Sequence, residues 1–597
     1  MGMLSAITGM LLPIPGLSLR SAYADLICPV PGVAPPIGLI SPPTRPWIEE
    51  MPRLVEKQTV DGNSPSSFDV GNGGGAPAPT PIGTDVGGDS KIRCLQDFPS
   101  LGRLAPYEDL SHQAWGKAGP LGDIPPQNFY ELRERQFNHV WHSDLPAGTS
   151  GQPAWGFDGL LPGPMFRSHY GSADLVRIHN DLPATNLGFG INQTSTHLHN
   201  MHTPAESDGN PLLVNYSGHY YDHHYPNLYA GVKALGGLGD PNEALGTLWY
   251  HDHKLDFTAQ NIYAGLFGMK CIYDAPGIYA DSTMGDYGDP NEATGWRLPC
   301  GNNYEFDVGL VFHDRQFDTN GVDFFPLTCF DGAIGDKVSV NGKIQPYFPV
   351  KRRKYRFRML NIGPSRFYNW FLSNGKPFVV IANDGNLLPK PVRVKNFAQS
   401  PAERYDVIVD FSEFAPGTEI VLFNYAEQTD GRRPTGKLLK KPMQVLKFIV
   451  TSDAVVDNSI IPTTLRPLPL MDQPVSNNRT WVFKRNGGEW TINGNSFDRN
   501  TISATIQEGS AEKWALVNGG GGWAHPIHTH FEEARILSMK GRGIEEIEKG
   551  RKDVIRLEKD NAAEIYIRFR DFKGVYPVHC HNTVHEDHAM MLLFKVV

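Results

Sequence analysis

Residues 577–591 read PVHCHNTVHEDHAMM. Side chains alternate between the faces of a β-strand, so on a strand His579 and His581 share one face and Cys580 points to the other. His585 follows Cys580 by five residues and Met590 by ten. With His525, from HPIHTH at 525–530, the segment offers two imidazoles, one thiolate and a soft thioether. That is the donor set of a blue-copper electron-transfer site. A structural zinc site draws on a cysteine-rich tetrahedron, and here a single cysteine is at hand.

Three further His-x-His pairs occur: His197 and His199 in STHLHNMHTP, His251 and His253 in LWYHDHKLDF, and His528 and His530 in HPIHTH. One such pair is weak evidence, because surface or core histidines produce it by chance. Four pairs, two in the first half of the chain and two near its end, are hard to explain by packing. Each aims two neutral imidazoles, the commonest ligands of copper and zinc, at one place. Eight such ligands suit about three metal ions. Ten of the 21 histidines are then accounted for, and the rest need no metal.

The 597-residue chain around these motifs carries 55 basic and 64 acidic side chains, a formal charge of −9. That balance argues against a nucleic-acid partner or an anionic membrane surface, which select a basic stripe. Apolar residues at 40% exclude disorder as the main state. Gly 62 and Pro 48 mark a loop-rich chain of many short strands. ADLVRIHNDLP, YRFRMLNIG, RYDVIVDF, TEIVLFNY and AEIYIRFR all read as strands, and RKYRFRMLN alternates basic and apolar residues as a strand with one wet face would. No window is long and apolar enough for a transmembrane helix. Met3 to Leu19 is apolar and precedes Ala22-Tyr23-Ala24, an A-x-A-like cleavage site without the basic start of a secretory signal, so a signal remnant or a plain apolar arm is expected there. Residues 60 to 90 are rich in Gly, Pro and Ser and read as a linker. Cys28, Cys94, Cys271, Cys300, Cys329 and Cys580 are too sparse for a disulfide scaffold; with Cys580 on a metal, at least one of the others is unpaired.

Composition breaks near residue 275 and at 452 to 475 suggest an all-β chain: an N-terminal arm (1–95) and three β-rich domains at 96–285, 286–455 and 456–597.

The motifs HLH, WYHDH, HPIHxH and HCHxxxHEDxxMM, complete and in this order, resemble those of the multicopper oxidases. The likeness is to the branch of spore-coat laccase, bilirubin oxidase and phenoxazinone synthase, and extends to KVSVNGKIQPYFPVKRRKYRFRMLNIGPSRFYN and SPAERYDVIVDF. It covers the chain from about residue 125 onward. The resemblance implies three cupredoxin-like Greek-key sandwiches and four copper ions. It places a type 1 copper on His525, Cys580, His585 and axial Met590, and a type 2 copper on His197 and His528. A type 3 pair falls to His199, His251, His253, His530, His579 and His581, in a trinuclear cluster shared by the first and third domains. It further implies one-electron oxidation of a small reducing substrate at an exposed edge of His525, and four-electron reduction of O2 to water. Asp208 and Glu586 match positions of carboxylates that assist proton delivery or O–O cleavage; the plainer readings are a turn residue for Asp208 and a ligand anchor for Glu586.

Phenols, aromatic amines or dye-like donors are the first expectation for the substrate. A metallo-oxidase of Mn(II), Fe(II) or Cu(I) is the alternative; Glu532 and Glu533 would favour a cationic donor, their plainer reading being ordinary strand or loop charges. A copper-sequestering or purely electron-transferring protein would have no use for the eight further histidines. His202, His219, His223 and His224 form another cluster, structural by default, with an extra copper site as the minor reading. An extracytoplasmic place is expected.

Overall fold

The computed structural model describes residues 41–60, 113–114, 121, 124–453 and 455–597, and the backbone alone of 85–86 and 90–91. The expected signal remnant, most of the linker, and Cys28 and Cys94 lie outside the described residues.

Strands pair into three successive two-sheet sandwiches. In the first, one sheet runs Tyr220–Tyr225, Asp174–Asn180, Asn128–His139, Gln152–Phe157; its partner runs Phe166–His169, Phe267–Tyr273, Thr247–Asp252, Thr196–His199. The middle sandwich is built on the paired strands Asp307–Phe317, Lys354–Asn361 and Arg404–Asp410, faced by a sheet centred on Glu419–Ala426. In the third, a sheet around Ser510–Asn518 and Ala562–Phe569 faces one that orders Ile502–Ile506, Met591–Val596, Gly574–Cys580, His525–Thr529 and Val554–Leu557. Neighbouring strands are often distant in sequence and some pair in parallel, as Asn128–His139 does with Asp174–Asn180, so the chain crosses between the two sheets of a sandwich and does not run as hairpins alone.

Each sandwich closes over its own aromatic core: Trp155 and Tyr250 in the first, Trp370 and Phe357 in the second, Trp514 and Phe594 in the third. A fourth apolar cluster joins them, bringing Trp141 and Trp249 of the first sandwich against Val311 and Leu360 of the second and Val554 of the third.

All five quoted strand segments are strands, but one expectation about a face fails. Lys354–Asn361 has no wet face: every residue after Lys354 is buried. Arg358 donates through Nε and Nη2 to the two oxygens of Asp307 at 2.6 Å each, and Arg356 reaches Asp406 and Asp286. The basic face is buried because carboxylates meet it, the condition under which charge tolerates burial.

Register brings the His-x-His motifs together. His251 lies opposite His197 on adjacent antiparallel strands, and His579 lies opposite His528 in the third sandwich. Directly opposed side chains on a ladder are near neighbours, so each strand pair gathers one half of the cluster.

Candidate metal centre

Beyond its strand, Cys580 is followed by the short helix Thr583–Asp587, which carries His585 back beside it. Cys580 Sγ lies 3.5 Å from His525 Nδ1 and 3.6 Å from His585 Nδ1, and the two nitrogens are 3.3 Å apart. All three side chains are buried. His585 is held from behind: its Nε2–H donates to the Asp331 carbonyl of the middle sandwich at 3.1 Å, and its ring stacks on Trp490 with centroids 3.7 Å apart. Met590 is fully buried in the same apolar cluster. Its backbone is tied to both partners, since Cys580 N–H donates to Met590 O and Met590 N–H to His585 O. His525 does not present the exposed edge expected of it. It is fully buried, packed edge-to-face against Trp490.

The eight other histidines converge in the space between the first and third sandwiches. Nε2 atoms of His253, His530 and His579 form a triangle with sides of 3.1, 3.2 and 3.2 Å. His197 Nε2 and His528 Nε2 stand 3.4 Å apart. Ligand nitrogens of His199, His251 and His581 form a third grouping, and His197, His199 and His528 a fourth, each within 4.8 Å. Every one of these rings is buried.

These residues suit a metal. Nitrogens bound at roughly 2.0–2.1 Å and tetrahedral angles stand about 3.3 Å apart, close to the separations seen. Among the described residues His251 Nε2 and both nitrogens of His581 are buried without a hydrogen-bond partner, a cost of about 1–3 kcal/mol each that a bound cation removes. Burial lowers the pKa of four of the imidazoles, holding His525 at about 3 and His197, His528 and His530 far below the ordinary value. They are therefore neutral lone-pair donors at pH 7. Burial pushes the Cys580 thiol up, and a bound cation opposes this by favouring the thiolate.

Two carboxylates stand behind the triangle. Asp208 Oδ2 accepts from His530 Nδ1–H at 2.7 Å, and the Asp208 carbonyl accepts from His197 Nδ1–H at 2.5 Å. Glu586 spans two imidazoles, with Oε1 3.1 Å from His253 Nδ1 and Oε2 3.0 Å from His579 Nδ1. Burial alone raises both acids; for Glu586 the His579 and His253 rings outweigh it and hold the carboxyl well below its usual range, whereas Asp208 is raised. Asp208 ends the buried helix Ala205–Asp208, and Gly209 follows with φ +87°. A Cβ on Gly209 would lie 2.1 Å from Thr196 O and 2.4 Å from His197 Cα, so only glycine lets this turn press against the ligand strand.

The remaining histidines are engaged elsewhere. His202 Nε2–H donates to Asp571 at 2.9 Å and His223 Nδ1–H to Ser207 O at 3.0 Å. Among the described residues none of His202, His219, His223 and His224 joins a metal-ligand grouping. Glu532 and Glu533 are not free to receive a cationic donor: Glu532 is paired to Arg570 at 2.8 Å and Glu533 to Arg551 at 2.8 Å. Both face arginines of their own sandwich. Cys271 and Cys300 are buried free thiols, and Cys329 is disulfide-bonded. Sequence reading missed Asp331 and Asp553, the latter 2.5 Å from His199 Nε2. Neither sits in a spaced motif, so no local signal pointed to them.

Comparison with known proteins finds relatives over most of the chain. The family model described as "Multicopper oxidase" matches residues 466–597. The chain is 32% identical to bilirubin oxidase of Albifimbria verrucaria, over 78% of this chain and 76% of that protein. It is 30% identical to a laccase of Bacillus subtilis strain 168, over 79% of this chain and 95% of that protein. Its fold resembles the crystal structure of a laccase from Pediococcus acidilactici, with a TM-score of 0.63 and 23% identity over 81% of this chain and 95% of that one.

Proposed function

The chain belongs to the multicopper oxidase family, and on that footing we propose how its residues divide the work of a laccase-like, copper-dependent oxidase that passes electrons from a reducing substrate to O2. Four copper ions are assigned per chain. His525, Cys580 and His585, with Met590, hold the first; His197 and His528 hold the second; His199, His251, His253, His530, His579 and His581 hold a pair. Bound there, copper would supply one-electron acceptance beside Cys580 and, among the eight histidines, the four-electron reduction of O2 with four protons to two waters.

The observation that carries this reading is the strand at Gly574–Cys580. Cys580 Sγ meets His525 and His585 on one face, while His579, one residue away, meets His253 and His530 on the other. One peptide links the two sites. Water formation consumes protons, and Asp208 and Glu586 are assigned to hold and deliver them next to the imidazoles. Asp208 Oδ1 is buried without a hydrogen-bond partner among the described residues, so one of its oxygens is open to a proton.

Phenols, aromatic amines and related organic donors are the proposed substrates. A cavity of about 240 Å³ between the middle and third sandwiches is lined by Ala524, next to His525, together with Phe367, Tyr368 and Arg433. Its walls combine apolar side chains with the charged Lys437, Arg556, Glu558 and Lys559, and Ala524 rather than His525 itself lines it. The metal-ion alternative loses its sequence support with Glu532 and Glu533 engaged by arginines. An extracytoplasmic location is proposed as well, supported by the disulfide at Cys329, since such bonds persist in oxidising compartments.

Steady-state oxygen uptake with a phenolic donor, Mn(II), Fe(II) and Cu(I) in parallel tests the assignment. Turnover of the phenol with four electrons per O2 and no peroxide is expected; uptake with metal ions alone would replace the organic-donor reading.

A further inference from the structure

None of the twelve assigned ligands comes from the middle sandwich, yet that sandwich reaches the histidine cluster through one buried chain of charges. Asp553 directly precedes the strand Val554–Leu557, which pairs with the ligand strand His525–Thr529. The Asp553 carbonyl accepts from His528 Nδ1–H at 3.0 Å, and its Oδ2 lies 3.3 Å from the same nitrogen. That Oδ2 also stands 2.5 Å from His199 Nε2, off the axis of a regular hydrogen bond. His199 belongs to the first sandwich and His528 to the third, so a single carboxylate touches an imidazole from each.

The carboxylate is itself held. Arg404, fully buried at the start of the strand Arg404–Asp410, donates from Nη1 to both Asp553 oxygens at 2.9 and 3.1 Å. Its Nη2 donates to the Asp384 carbonyl at 2.7 Å and its Nε to the Thr247 carbonyl at 3.3 Å. Lys552, the residue before Asp553 and also fully buried, pairs with Asp384 at 2.8 Å and Glu403 at 2.9 Å. The aspartate thus has no freedom to leave the histidines.

A neutral imidazole has one N–H and one lone pair, and the hydrogen bond made by one nitrogen decides which is which. With Nε2 of His199 against a carboxylate, the proton belongs on Nε2. Neither nitrogen of His199 makes a regular hydrogen bond among the described residues; the 2.5 Å approach of the Asp553 carboxylate to Nε2 is what favours the proton there and leaves the lone pair on Nδ1, in a ring grouped with His251 and His581. For His528 the choice is reversed: Nδ1 carries the proton and Nε2 faces His197.

We propose that Asp553 is a positioning residue that fixes opposite tautomers on His199 and His528, and that Arg404 holds it there, giving the middle sandwich a direct part in assembling the cluster. The proposal rests on the reading that these histidines bind copper, and the wild-type copper count, measured alongside, tests that reading separately. Removing an outer partner of a metal-bound histidine costs roughly 10–100-fold in metal affinity.

Asp553→Asn and Arg404→Gln should therefore each retain the blue band of the Cys580 site, which reports an intact fold. Both should release copper from the cluster about 10- to 100-fold more readily under a chelator and alter the type 2 electron paramagnetic resonance signal; Asp553→Glu should restore part of the loss. Wild-type copper retention and an unchanged type 2 signal in both variants would overturn the proposal. A second measurement needs no variant. In the fully reduced, diamagnetic wild-type holoenzyme, ¹⁵N shifts of the histidines report their tautomers. The proton is expected on Nε2 of His199 and on Nδ1 of His528; finding His199 protonated on Nδ1 would contradict the proposal outright.

Discussion

Cys580 and Glu586 sit six residues apart and serve opposite sides of the same strand, so their removal should separate the two halves of the chemistry. Serine keeps the size of Cys580 but offers no thiolate, and Cys580→Ser should lose blue absorption and turnover of every donor while the histidine cluster keeps its copper. Copper analysis and an optical spectrum on one sample check this; retained blue colour would refute the assigned ligand. Glu586→Gln keeps the shape but not the charge that faces His253 and His579. It should keep its colour and lower the rate of oxygen reduction by about 10²- to 10⁴-fold, the usual worth of a positioned acid or base. Turnover unchanged across pH would remove Glu586 from proton transfer. At this scale the sequence was highly legible, because His-x-His and His-Cys-His place donors by local geometry alone. Asp553 and the Asp331 carbonyl were not legible, since Asp553 meets His199, and Asp331 meets His585, across a boundary between sandwiches. For Glu532 and Glu533 the plainer reading, ordinary charges, is the one the fold supports: each pairs with an arginine of its own sandwich, Arg570 and Arg551.

The elements that carry these residues are short, and some have no tolerance for change. Gly209 combines a positive φ with a close approach to Thr196 O and His197 Cα. Gly209→Ala should destabilise the protein by at least ~1 kcal/mol and displace His197, seen as a lower thermal midpoint together with less copper bound in the cluster. A variant with unchanged stability and copper content would show that the turn has room. Strands were legible from β-branched and aromatic runs bounded by turn residues. Which faces they bury was legible only in part. Lys354–Asn361 alternates as a strand with one wet face would, but Asp307, Asp406 and Asp286 arrive from other segments to pair with its arginines. Alternation reports that a strand has two unlike faces; what covers the polar one is a property of the tertiary fold.

The molecule as a whole must keep its first and third sandwiches in contact, because the cluster takes histidines from both. Glu243, in the first sandwich, is buried against Arg551, Arg568 and Arg570 of the third. Burial works against this carboxylate, but the guanidinium groups of Arg570, Arg551 and Arg568 outweigh it and bring its pKa from 4.5 to about 2. A folded value below the unfolded one stabilises the protein above pH 4.5 and loses that contribution as the pH falls toward 2. The shift corresponds to a few kcal/mol, at about 1.4 kcal/mol per unit. Thermal unfolding should therefore weaken between pH 4.5 and 2, and Glu243→Gln should be less stable at pH 7 and flatter across that window. An unaltered pH profile in the variant would exclude Glu243 as the clamp. Three β-rich blocks could be read from composition breaks, but this clamp could not, since Glu243 and its arginines are about 300 residues apart and share no pattern.

One copper is assigned to Cys580 and three to the eight histidines drawn from both ends of the chain. Anomalous scattering from crystals of the copper-loaded protein, recorded at the copper edge, tests this assignment most directly. One peak is expected between His525, Cys580 and His585 and three between the first and third sandwiches. A lone peak at Cys580, with none among the eight histidines, would contradict it.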